Sequence, residues 1–453
     1  MSKYKGKKVL IVGFGRSGVA VAKYMSKQGA RVTMTDMKQK NELSESVRAC
    51  ADIKIEYELG KHNNKTFHNA DLIVVSPGVP LNIKPLEEAR EKNIPITGEI
   101  ELAVSCIKEP LIVVTGTNGK TTTTALIGEM FKADGKTAFV GGNIGKPLID
   151  YVVEGKSASV VIAELSSFQL DTTEKLIPAV AVFTNIEPDH LDRYQDMVNY
   201  IASKKKLLGL CDKNSFVVLN QDDPTVAGFS VETPGKVMWF TKRDPEQGFI
   251  GGYYRQDARK MVLHITAQEE AYNLTGFKLF GEHNKENLMA AACAARVMGV
   301  GPKAIQAVID TFGGVPHRLE FVRKKDGVYF FNDSKGTNVM SVKRSLEAFR
   351  SNPIILIAGG KDKGCEFTPL VDLVRQKCKM VILVGEAKEK INRAIGDYAE
   401  TYLVGTFEEG ILLAYQKSRS GDIILLSPGC ASYDMFRNYE ERGDYFKKIV
   451  NQL

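Results

Sequence analysis

Hydrophobic and polar positions alternate along this chain in a regular order. Short runs of Val, Ile and Leu are followed by longer amphipathic stretches, and this order recurs through most of the sequence. A strand in a covered parallel sheet is apolar on both faces, whereas the helix that follows it is apolar on one side. The pattern therefore predicts an α/β protein built on parallel sheets.

The strand-like runs fall into three blocks, which predict three domains. The first block begins with the run at residues 9–12 and ends near Gly98. The second begins at residues 111–114, acquires further strands between residues 235 and 279, and closes with a helix over residues 284–298. Paired glycines before a proline, at residues 313–316, mark the next boundary, because they stop a helix and allow the chain to turn. We expect domains at residues 1–98, 99–314 and 315–453.

Composition excludes several classes of protein. Of the 453 residues, 43% are hydrophobic and 25% are charged, and no apolar run approaches the ~20 residues that span a bilayer. The first residues, MSKYKGKKVLIVGFG, pass from a basic start into a strand-like run without the apolar segment and cleavage site of a secretion signal. We therefore expect a cytoplasmic protein with no membrane insertion.

The cysteine pattern and the net charge exclude further classes of site and partner. Seven cysteines are scattered without CxxC spacing, which favours reduced thiols over a disulfide framework or a cysteine-ligated zinc site. The net charge is only +7, from 61 Lys and Arg against 54 Asp and Glu, which is too small to indicate nucleic acid. The basic runs at residues 204–206 and 323–325 lack interleaved aromatic residues, so we interpret both as solvated faces. Small molecules are the expected partners.

The strongest chemical signal is the segment Thr115-Gly116-Thr117-Asn118-Gly119-Lys120-Thr121-Thr122, between a strand-like run and a helix expected to begin near Thr122. Glycines let backbone N–H groups turn toward phosphate oxygens, a helix N-terminus presents its positive dipole end, and Lys120 supplies a cation. Thr121 can offer its hydroxyl to Mg²⁺. The standard spacing GxxxxGK[ST] begins with Gly where this chain has Val114. The order of strand, turn, Lys-Thr and helix nevertheless predicts a phosphate-binding loop rather than an ordinary glycine turn.

Acidic and imidazole groups follow the next strands of the same block. The run at residues 160–163 ends in Glu164, the placement of a Walker-B acid that holds Mg²⁺ beside a phosphate loop. The following strand leads into Glu187-Pro188-Asp189-His190-Leu191-Asp192. We expect His190 to serve a metal or a substrate, although acids in this position also cap helices. Together these motifs predict Mg-ATP and a central P-loop ATPase-like domain.

A second glycine-rich turn opens the first block. Gly13-Phe14-Gly15-Arg16-Ser17-Gly18 follows a strand-like run and matches GxGxxG, and Asp36 ends the next strand, where a ribose-binding acid falls in dinucleotide-binding domains. The turn indicates a helix N-terminus that can accept a diphosphate. NAD, a nucleotide sugar or no ligand at all is compatible with it, and a purely structural turn stays open.

The third block carries weaker signals at its strand ends. His317-Arg318 and residues 332–338 combine cations, an amide and an acid in loops, as groups lying over ATP phosphates require. Residues 359–364 also follow a strand, where a lysine could lie at the rim of a pocket, but an ordinary surface lysine is the favoured interpretation of this segment alone. Cys430, in the loop at residues 427–432, has no activating base in the sequence, so we interpret it as a packed or substrate-adjacent thiol rather than a nucleophile.

Taken in order, seven motifs resemble those of the Mur ligases of peptidoglycan precursor synthesis: TGTNGKTTT, AELSSFQL, NIEPDHLDRY, GEHNKEN, PHRLE, NDSKGTN and SPGCAS. The resemblance covers essentially the whole chain. SSFQL and SPGCAS are similar to the members that add D-glutamate, and the DNPR signature of the diaminopimelate- or lysine-adding members is absent. The resemblance implies an N-terminal Rossmann-like domain for a UDP substrate, a central P-loop domain for ATP, and a C-terminal Rossmann-like α/β domain for the amino acid.

The implied reaction is the ATP-dependent ligation of D-glutamate to UDP-N-acetylmuramoyl-L-alanine through an acyl phosphate, with release of ADP and phosphate. Activation is needed because a free carboxylate is a poor electrophile, and domain closure would keep water from the acyl phosphate. The resemblance also implies two Mg²⁺ ions and carbamylation of Lys204, which would make it an anionic metal ligand. We expect a monomer.

The implied site residues are carried over motif by motif. Catalytic roles fall to Lys120, Glu164, His190 and Lys204, and Mg²⁺ would be held by Thr121, Glu164, His190 and Lys204. ATP would contact Gly116, Thr117, Asn118, Gly119, Lys120, Thr121, Thr122, Asn284, Asn287, Arg318, Asp333, Lys335 and Thr337. The UDP substrate would contact Gly13, Phe14, Gly15, Arg16, Ser17, Gly18, Asp36, Ser76, Pro77, Gly78, Asn143 and Ser166. D-Glutamate would face Lys363, Ser432 and Tyr439, the last at a position where the family usually has Phe.

Two other classes remain as alternatives. A nicotinamide-dependent dehydrogenase would explain the first glycine turn but leaves the phosphate loop and Glu164 without a role. A non-catalytic nucleotide-binding switch would explain the phosphate loop alone. Absorbance change with NAD(P)H, ATPase activity without an acceptor, and ligation with an acceptor separate the three.

Overall fold

The computed structural model describes residues 2–255, 258–265, 268–279, 281–349, 352–362 and 364–453, with only the backbone at residues 191 and 192. The strands in these ranges form three sheets of five, nine and six strands. Most strand pairs are parallel, and helices separate successive strands, which confirms the expected fold class.

The first sheet contains β1 (Lys8–Val12), β2 (Arg31–Asp36), β3 (Ile55–Leu59), β4 (Leu72–Val75) and β5 (Ile96–Gly98). Its order is β3-β2-β1-β4-β5 and every pairing is parallel. The helices of this part are α1 (Arg16–Lys27), α2 (Ser44–Ala49), α3 (Asn64–His68), α4 (Lys84–Glu91) and α5 (Glu99–Val104). Val9 and Ile11 pack into one core, and Leu10 and Val12 into another. Because both faces of β1 are covered, its sequence is continuously apolar.

The second sheet contains β6 (Leu111–Thr115), β7 (Ala138–Gly142), β8 (Val160–Glu164), β9 (Val180–Phe183), β10 (Phe216–Asn220), β11 (Lys236–Thr241), β12 (Gly251–Arg255), β13 (Lys260–His264) and β14 (Glu270–Asn273). Its order is β14-β13-β12-β11-β10-β9-β6-β8-β7. Only the β12–β13 and β13–β14 pairs are antiparallel among those described. Its helices are α6 (Lys120–Ala133), α7 (Leu148–Glu154), α8 (Ser167–Leu170), α9 (Leu191–Tyr194), α10 (Met197–Gly209), α11 (Pro224–Ala227), α12 (Glu282–Val297) and α13 (Pro302–Thr311), with a 3₁₀ turn at Gly228–Val231.

The third sheet contains β15 (Glu320–Lys325), β16 (Val328–Asn332), β17 (Ile354–Gly359), β18 (Cys378–Val384), β19 (Glu400–Leu403) and β20 (Ile423–Leu426). Its order is β15-β16-β20-β17-β18-β19, and the β15–β16 pair is antiparallel. The helices are α14 (Val339–Glu347), α15 (Val371–Lys377), α16 (Lys388–Ile395), α17 (Phe407–Lys417) and α18 (Tyr439–Gln452), with 3₁₀ turns at Thr368–Leu370 and Gly396–Tyr398. The carboxyl ends of β16, β20 and β17 therefore lie side by side at one edge.

Several elements begin or end a few residues from their expected positions. Helix α6 begins at Lys120, two residues before the expected start, because Gly119 takes a left-handed conformation (φ +81°) and ends the loop there. Helix α12 covers Glu282–Val297 where residues 284–298 were expected. The strands expected between residues 235 and 279 are β11 to β14.

Contacts divide the chain into two compact units. One consists of residues 1–275 with 285–308, and the other of residues 276–284 with 309–453. The first sheet ends with β5 at Gly98, and α5 begins at the next residue. The division into three domains at residues 98 and 314 stays a prediction. In the described part of the chain, no helix has the length and apolar character that crossing a bilayer requires.

Candidate active site

The first glycine turn joins β1 to α1 at the carboxyl edge of the first sheet. Gly13 has φ +93°, and a Cβ there would lie 2.9 Å from Cβ of Ser76 and from Cγ2 of Val79. A Cβ at Gly18 would lie 2.1 Å from the carbonyl oxygen of Gly13. The hydroxyl of Ser76 also donates to that oxygen at 2.8 Å. These two glycines therefore allow α1 and the turn after β4 to close on the loop.

Asp36 uses both of its carboxylate oxygens to hold this turn. Oδ2 accepts from the N–H of Phe14 at 2.7 Å and Oδ1 from the N–H of Lys38 at 2.9 Å. The Phe14 ring is fully buried and lies against Tyr57. Asp36 therefore organises the backbone of the turn, and a contact with a ribose stays a prediction.

A cavity of about 720 Å³ opens beside the turn. Ten of the residues expected to contact a UDP substrate line it: Gly13, Phe14, Gly15, Arg16, Ser17, Asp36, Ser76, Pro77, Gly78 and Asn143. Gly18 and Ser166 do not. Gly18 packs on Gly13, and the Ser166 hydroxyl caps α8 by accepting from the Gln169 N–H at 3.3 Å.

The cavity is also lined by residues that the sequence motifs did not single out. Gln169 lines it, one turn beyond the cap it forms with Ser166. Met37 and Lys38 follow Asp36 directly, so proximity to the motif could have indicated them. His62 comes from the loop after β3 and had no signal in the sequence. Burial lowers the pKa of His62, and its Nδ1 lies 2.9 Å from the Thr35 hydroxyl.

Asn143 connects this cavity to the acid at the end of β8. Its side-chain amide donates to Oε1 of Glu164 at 2.7 Å, and its backbone N–H donates to the Glu164 carbonyl at 2.8 Å. Strand β8 pairs with β6 so that Glu164 is in register with Val114, next to the phosphate loop. The cavity and the phosphate loop are therefore joined through two residues of the same unit.

The phosphate loop is held by residues that follow β9. The N–H of Thr117 donates to the carbonyl of Asn185, and the N–H of Asn118 donates to its side-chain oxygen, both at 2.8 Å. Gly116 has φ +141°, and a Cβ there would lie 2.0 Å from the Thr184 hydroxyl. A side chain at Gly116 would therefore push the loop away from the strand that supports it.

Two buried or half-buried lysines reach the same carbonyl of the phosphate loop. Nζ of Lys120 lies 2.9 Å from the Gly116 oxygen, and Nζ of Lys204 lies 2.6 Å from it. Lys204 is only 2% exposed, and burial, followed by the charge of Lys120, lowers its pKa to about 7. At neutral pH a large share of Lys204 is therefore an uncharged amine.

The burial of Lys204 corrects the interpretation of residues 204–206 as a solvated face. Helix α10 turns Lys204 toward the phosphate loop, while Lys205 pairs with Glu232 and Lys206 pairs with Asp171 at 3.0 Å. Adjacent residues on a helix point about 100° apart. A run of three lysines therefore places its members in different environments, which composition alone does not reveal.

His190 lies in the loop before α9, with a positive φ of +53°. Its ring packs on Phe168 at a centroid distance of 4.9 Å, and its side chain is 47% exposed. Nε2 lies 3.7 Å from Oδ2 of Asp189. The imidazole is therefore accessible, and its ring lies 6.3 Å from that of Tyr200, whose hydroxyl lies 3.0 Å from the Thr117 hydroxyl of the phosphate loop.

The residues expected around the phosphate loop are brought together in part. Thr121 is 3% exposed at the start of α6, and Thr122 follows it. Asn287 is buried, and a Cβ at Gly119 would lie 2.1 Å from its Oδ1. Asn284 lies three residues earlier on α12 and is 8% exposed. Asn287 is thus packed over the loop.

Within the second unit, Asp333 is held in the interior. Its Oδ2 accepts from the hydroxyls of Ser345 at 2.6 Å and Ser427 at 2.7 Å, and its Oδ1 accepts from the N–H of Leu319 at 3.3 Å. Burial raises its pKa to about 6. The carboxylate therefore ties together the ends of β16 and β20, and contact with ATP stays a prediction.

Other residues expected to bind ATP or D-glutamate also belong to this unit. Nζ of Lys335 is 5.8 Å from the Tyr439 ring, and Ser432 is 2% exposed. Arg318 is exposed and Thr337 is half-buried. Lys363 lies outside the described residues. Cys430 is buried and its pKa is raised to about 12, which agrees with a packed thiol rather than a nucleophile.

Comparison with known proteins decides the family. The Mur ligase MurD-like N-terminal domain model matches residues 7–98, the Mur ligase middle domain model matches residues 114–295, and the Mur ligase glutamate ligase domain model matches residues 317–430. The chain belongs to the Mur ligase family.

Individual Mur ligases agree with this assignment. A UDP-N-acetylmuramoylalanine--D-glutamate ligase of Bdellovibrio bacteriovorus is 46% identical, covering 100% of this chain and 99% of its own. The ligase of the same name from Geotalea uraniireducens is also 46% identical, over 99% of this chain and 98% of its own.

Solved Mur ligase and related structures share the fold. The MurC UDP-N-acetylmuramate-alanine ligase of Thermotoga maritima has a TM-score of 0.58 at 18% identity, covering 98% of this chain and 99% of its own. A pseudomurein peptide ligase type C of Methanothermus fervidus has a TM-score of 0.55 at 21% identity, covering 99% of this chain and 100% of its own. At these identities the likeness concerns the fold alone.

Proposed function

We propose that this Mur ligase joins D-glutamate to UDP-N-acetylmuramoyl-L-alanine, with ATP as the energy source. Relatives named for this reaction, 46% identical over nearly the whole chain, support the proposal. The observation that carries it in the structure is the bond between Asn143 and Glu164. A substrate extending from the glycine-turn cavity past Asn143 would bring its free end to the phosphate loop.

In the first step the alanyl carboxylate attacks the γ-phosphorus of ATP. The new bond joins a carboxylate oxygen to phosphorus, and the bond to the β,γ-bridging oxygen breaks, so ADP leaves with that electron pair. The N-terminal N–H groups of α6 and the ammonium of Lys120 would stabilise the charge on the transferring group. Lys120 now donates to the carbonyls of Gly116 and Thr117, so it must turn from them toward the phosphates.

In the second step the amine of D-glutamate attacks the carbonyl carbon of the acyl phosphate. The amide C–N bond forms, the acyl C–O bond breaks so that phosphate leaves with its electron pair, and the proton lost by the amine passes to that phosphate. Ser432, at the carboxyl edge of the third sheet, is proposed to contact the glutamate with Lys363 and Tyr439. Lys363 was assigned from its motif alone, so we expect Lys363→Met to raise the KM for D-glutamate by at least ~10-fold, while the KM for ATP changes far less.

The residues beside the phosphate loop fit Mg²⁺. Oε2 of Glu164 is buried and has no hydrogen-bond partner among the described groups, and a hard oxygen anion of this kind suits Mg²⁺. Among the described residues, no group of three or more His, Cys, Asp or Glu side chains could hold a metal by itself. ATP phosphates would therefore complete the coordination. Thr121, Glu164, His190 and Lys204 are the proposed protein ligands for two ions, which neutralise phosphate charge when bound.

Carbamylation of Lys204 is supported by its surroundings. The addition of CO₂ requires the uncharged amine, forms a C–N bond and releases a proton. A lysine with an ordinary pKa near 10.4 is almost entirely protonated at neutral pH, whereas the pKa of Lys204 is lowered to about 7. The product would be an anion facing Lys120, and opposite charges would replace the present repulsion.

The domain roles follow from this reaction. We propose that residues 1–98 bind the UDP moiety, residues 99–314 bind ATP, and residues 315–453 bind the amino acid. The enzyme is proposed to act as a monomer in the cytoplasm, on small molecules rather than nucleic acid.

The test is product analysis by mass spectrometry. The protein is mixed with ATP, Mg²⁺, UDP-N-acetylmuramoyl-L-alanine and a panel of amino acids that includes D-glutamate, L-glutamate and D-alanine. We expect the dipeptidyl product only with D-glutamate, with one ADP formed for each amide bond. Oxidation of NADPH without amide formation would instead support a dehydrogenase, and ATP binding without any product would support a switch.

A further inference from the structure

The largest fully buried side chain among the described residues is a charged one, Arg442. It projects from α18 into the second unit and has 0% exposure. Burial lowers the pKa of its guanidinium to about 10, which still leaves it a cation at neutral pH. A charge removed from water needs compensating partners, so the partners indicate what the residue does.

The guanidinium donates hydrogen bonds to two separate loops. Nε donates to the Ser334 hydroxyl at 3.0 Å and Nη2 to the Ser334 carbonyl at 2.9 Å. On the other side, Nη2 donates to the carbonyl of Cys430 at 3.2 Å and Nη1 to that of Ala431 at 3.3 Å. Ser334 and Ala431 are nearly a hundred positions apart in sequence, so the side chain adds a bridge between two strand ends that Asp333 also joins through Ser427.

Each loop carries residues assigned to a different substrate. The first loop, residues 332–338, follows β16 and carries Asp333, Lys335 and Thr337, assigned to ATP. The second loop, residues 427–432, follows β20 and ends with Ser432, assigned to D-glutamate. Arg442 contacts the residue immediately before Lys335 and the residue immediately before Ser432.

A third strand end packs on the same group. Gly360 follows β17, has φ +133°, and a Cβ there would lie 3.2 Å from Nη1 of Arg442 and 2.3 Å from the Ala431 carbonyl oxygen. The N–H of Lys361 also donates to that oxygen, at 2.9 Å. The loops after three adjacent strands therefore meet around one planar guanidinium.

The geometry requires a guanidinium rather than any cation. A planar fork with five N–H donors can bond oxygens on two sides at once, whereas a lysine ammonium is a compact point charge at one position. Replacement by lysine would leave carbonyls of at least one loop unpaired in the interior, and unpaired buried carbonyls favour a shift of the backbone that carries them.

We propose that Arg442 is a positioning residue that holds the ATP-assigned loop and the glutamate-assigned loop in the relative placement that amide formation needs. The proposal rests on the proposed function of these two loops. Misplacement of reacting groups by ~1 Å can cost ~10²-fold in rate. Arg442 is proposed to contact neither reactant and to act through Ser334, Cys430 and Ala431.

The chain offers a matched control in Arg323. This arginine also bonds two backbone carbonyls, those of Val450 and Asn451 at 3.2 Å each, but it does so at the far end of α18. Arg442→Lys and Arg323→Lys remove the same fork from the same unit. Both variants are compared with the wild type in kcat and in KM for each substrate, after circular dichroism has shown that they are folded.

We expect Arg442→Lys to lower kcat/KM for D-glutamate by at least ~10-fold while the KM for UDP-N-acetylmuramoyl-L-alanine stays within ~2-fold. Arg323→Lys should leave all constants within ~2-fold. Equal effects of the two variants, or equal changes in the KM of every substrate, would overturn the proposal. A wild type that makes no amide with D-glutamate would instead overturn the proposed function.

Chemical rescue tests the role if Arg442→Lys folds poorly. Arg442→Ala removes the fork and leaves a space lined by its carbonyl partners, and guanidinium at tens of millimolar supplies the same donors. We expect guanidinium, but not methylammonium, to restore D-glutamate-dependent turnover several-fold. An alternative outcome is that guanidinium only increases the folded fraction of Arg442→Ala. If the folded fraction already has wild-type kcat and KM without guanidinium, the role of Arg442 is purely structural and the proposal is refuted.

Discussion

At the scale of single residues, the phosphate loop is defined by two lysines that share one carbonyl oxygen. Lys120 and Lys204 both donate to Gly116, and two ammonium groups this close repel each other. Lys204 is the buried member of the pair, and its pKa is lowered to about 7. Burial is the larger cause and the charge of Lys120 is the next. The pair therefore favours the uncharged form of Lys204 more than burial alone would.

We expect Lys120→Ala to lower ligation by at least ~10²-fold without unfolding the protein, because a preorganised charge on a transferring phosphoryl group contributes ~3 kcal/mol or more. The measurement is kcat/KM for ATP. Lys132→Ala is the matched control, since Lys132 lies on the same helix with a side chain 76% exposed. Near-normal turnover of folded Lys120→Ala would contradict the role given to the phosphate loop.

We expect Lys204→Ala to be nearly inactive and to recover partly when a short carboxylic acid such as acetate is added. A diffusible carboxylate could take the place of the missing carbamate beside Mg²⁺. Turnover is measured against acetate concentration, with sodium chloride at equal ionic strength as the control. Lys205→Ala, from the exposed side of the same run, should be active without additive. Full activity of Lys204→Ala alone would refute the assignment.

At the scale of elements, a buried acid joins α5 to α7. Glu99 is the first residue of α5, and its Oε1 accepts from the N–H of Ile149 in the first turn of α7 at 2.6 Å. Its Oε2 is buried without a partner among the described groups. Burial is the largest influence on this carboxyl and raises its pKa from 4.5 to about 7, against the lowering effect of the Ile149 bond.

This raised pKa predicts that Glu99 weakens the fold as pH rises. Between the unfolded pKa near 4.5 and the folded pKa near 7, the folded chain binds more protons than the unfolded chain, so the free energy of unfolding falls with increasing pH. The amide side chain of Glu99→Gln does not titrate in this pH range. We expect the variant to match the wild type at pH 5 and to exceed its stability by about 1–3 kcal/mol at pH 8.

This difference in stability is measured by unfolding both proteins in urea, with hydrogen exchange of the amides in α5 and α7 as the readout. Comparing the two proteins at each pH cancels the contributions of all other titrating groups. A difference that is the same at pH 5 and pH 8 would show that Glu99 is ionised in the folded protein throughout.

At the scale of the whole molecule, the candidate site residues are distributed unequally between the two compact units. The glycine-turn cavity, the phosphate loop, Glu164 and Lys204 all belong to the unit formed by residues 1–275 and 285–308. The Arg442 cluster belongs entirely to the other unit. A ligand that binds one unit stabilises that unit by RT ln(1 + [L]/Kd).

We therefore expect UDP-N-acetylmuramoyl-L-alanine to protect the first unit selectively. At about 100 times Kd the stabilisation is ~2.7 kcal/mol, and it should appear as slower hydrogen exchange in peptides containing residues 13–18 and 76–79. Peptides from residues 320–332 and 423–426 serve as the internal control. Equal protection of both sets would show that the chain unfolds as one cooperative body.

Much of the fold and of the nucleotide chemistry followed from sequence because local backbone requirements determine it. Continuous apolar runs predict covered parallel strands, and the structure has them in β1, β6 and β8. The glycines at 13, 116 and 119 occupy positions with positive φ, which few other residues tolerate. Motifs of this kind specify the local backbone conformation by themselves. The phosphate loop was therefore predicted between its strand and helix, with an error of two residues at the helix start.

Tertiary structure decided which side chains those motifs meet, because burial depends on residues distant in sequence. It turned Lys204 inward from a run expected to be solvated, engaged both oxygens of Asp36 with backbone, and placed Asp333 in the interior with Ser345 and Ser427. His62 lines the cavity from the loop after β3, which carries no motif. Arg442 depends most on tertiary structure: nothing in the stretch YEERGDYF shows that its arginine is enclosed by carbonyls of loops 11 and 108 positions away, since those partners come together only when the third sheet forms.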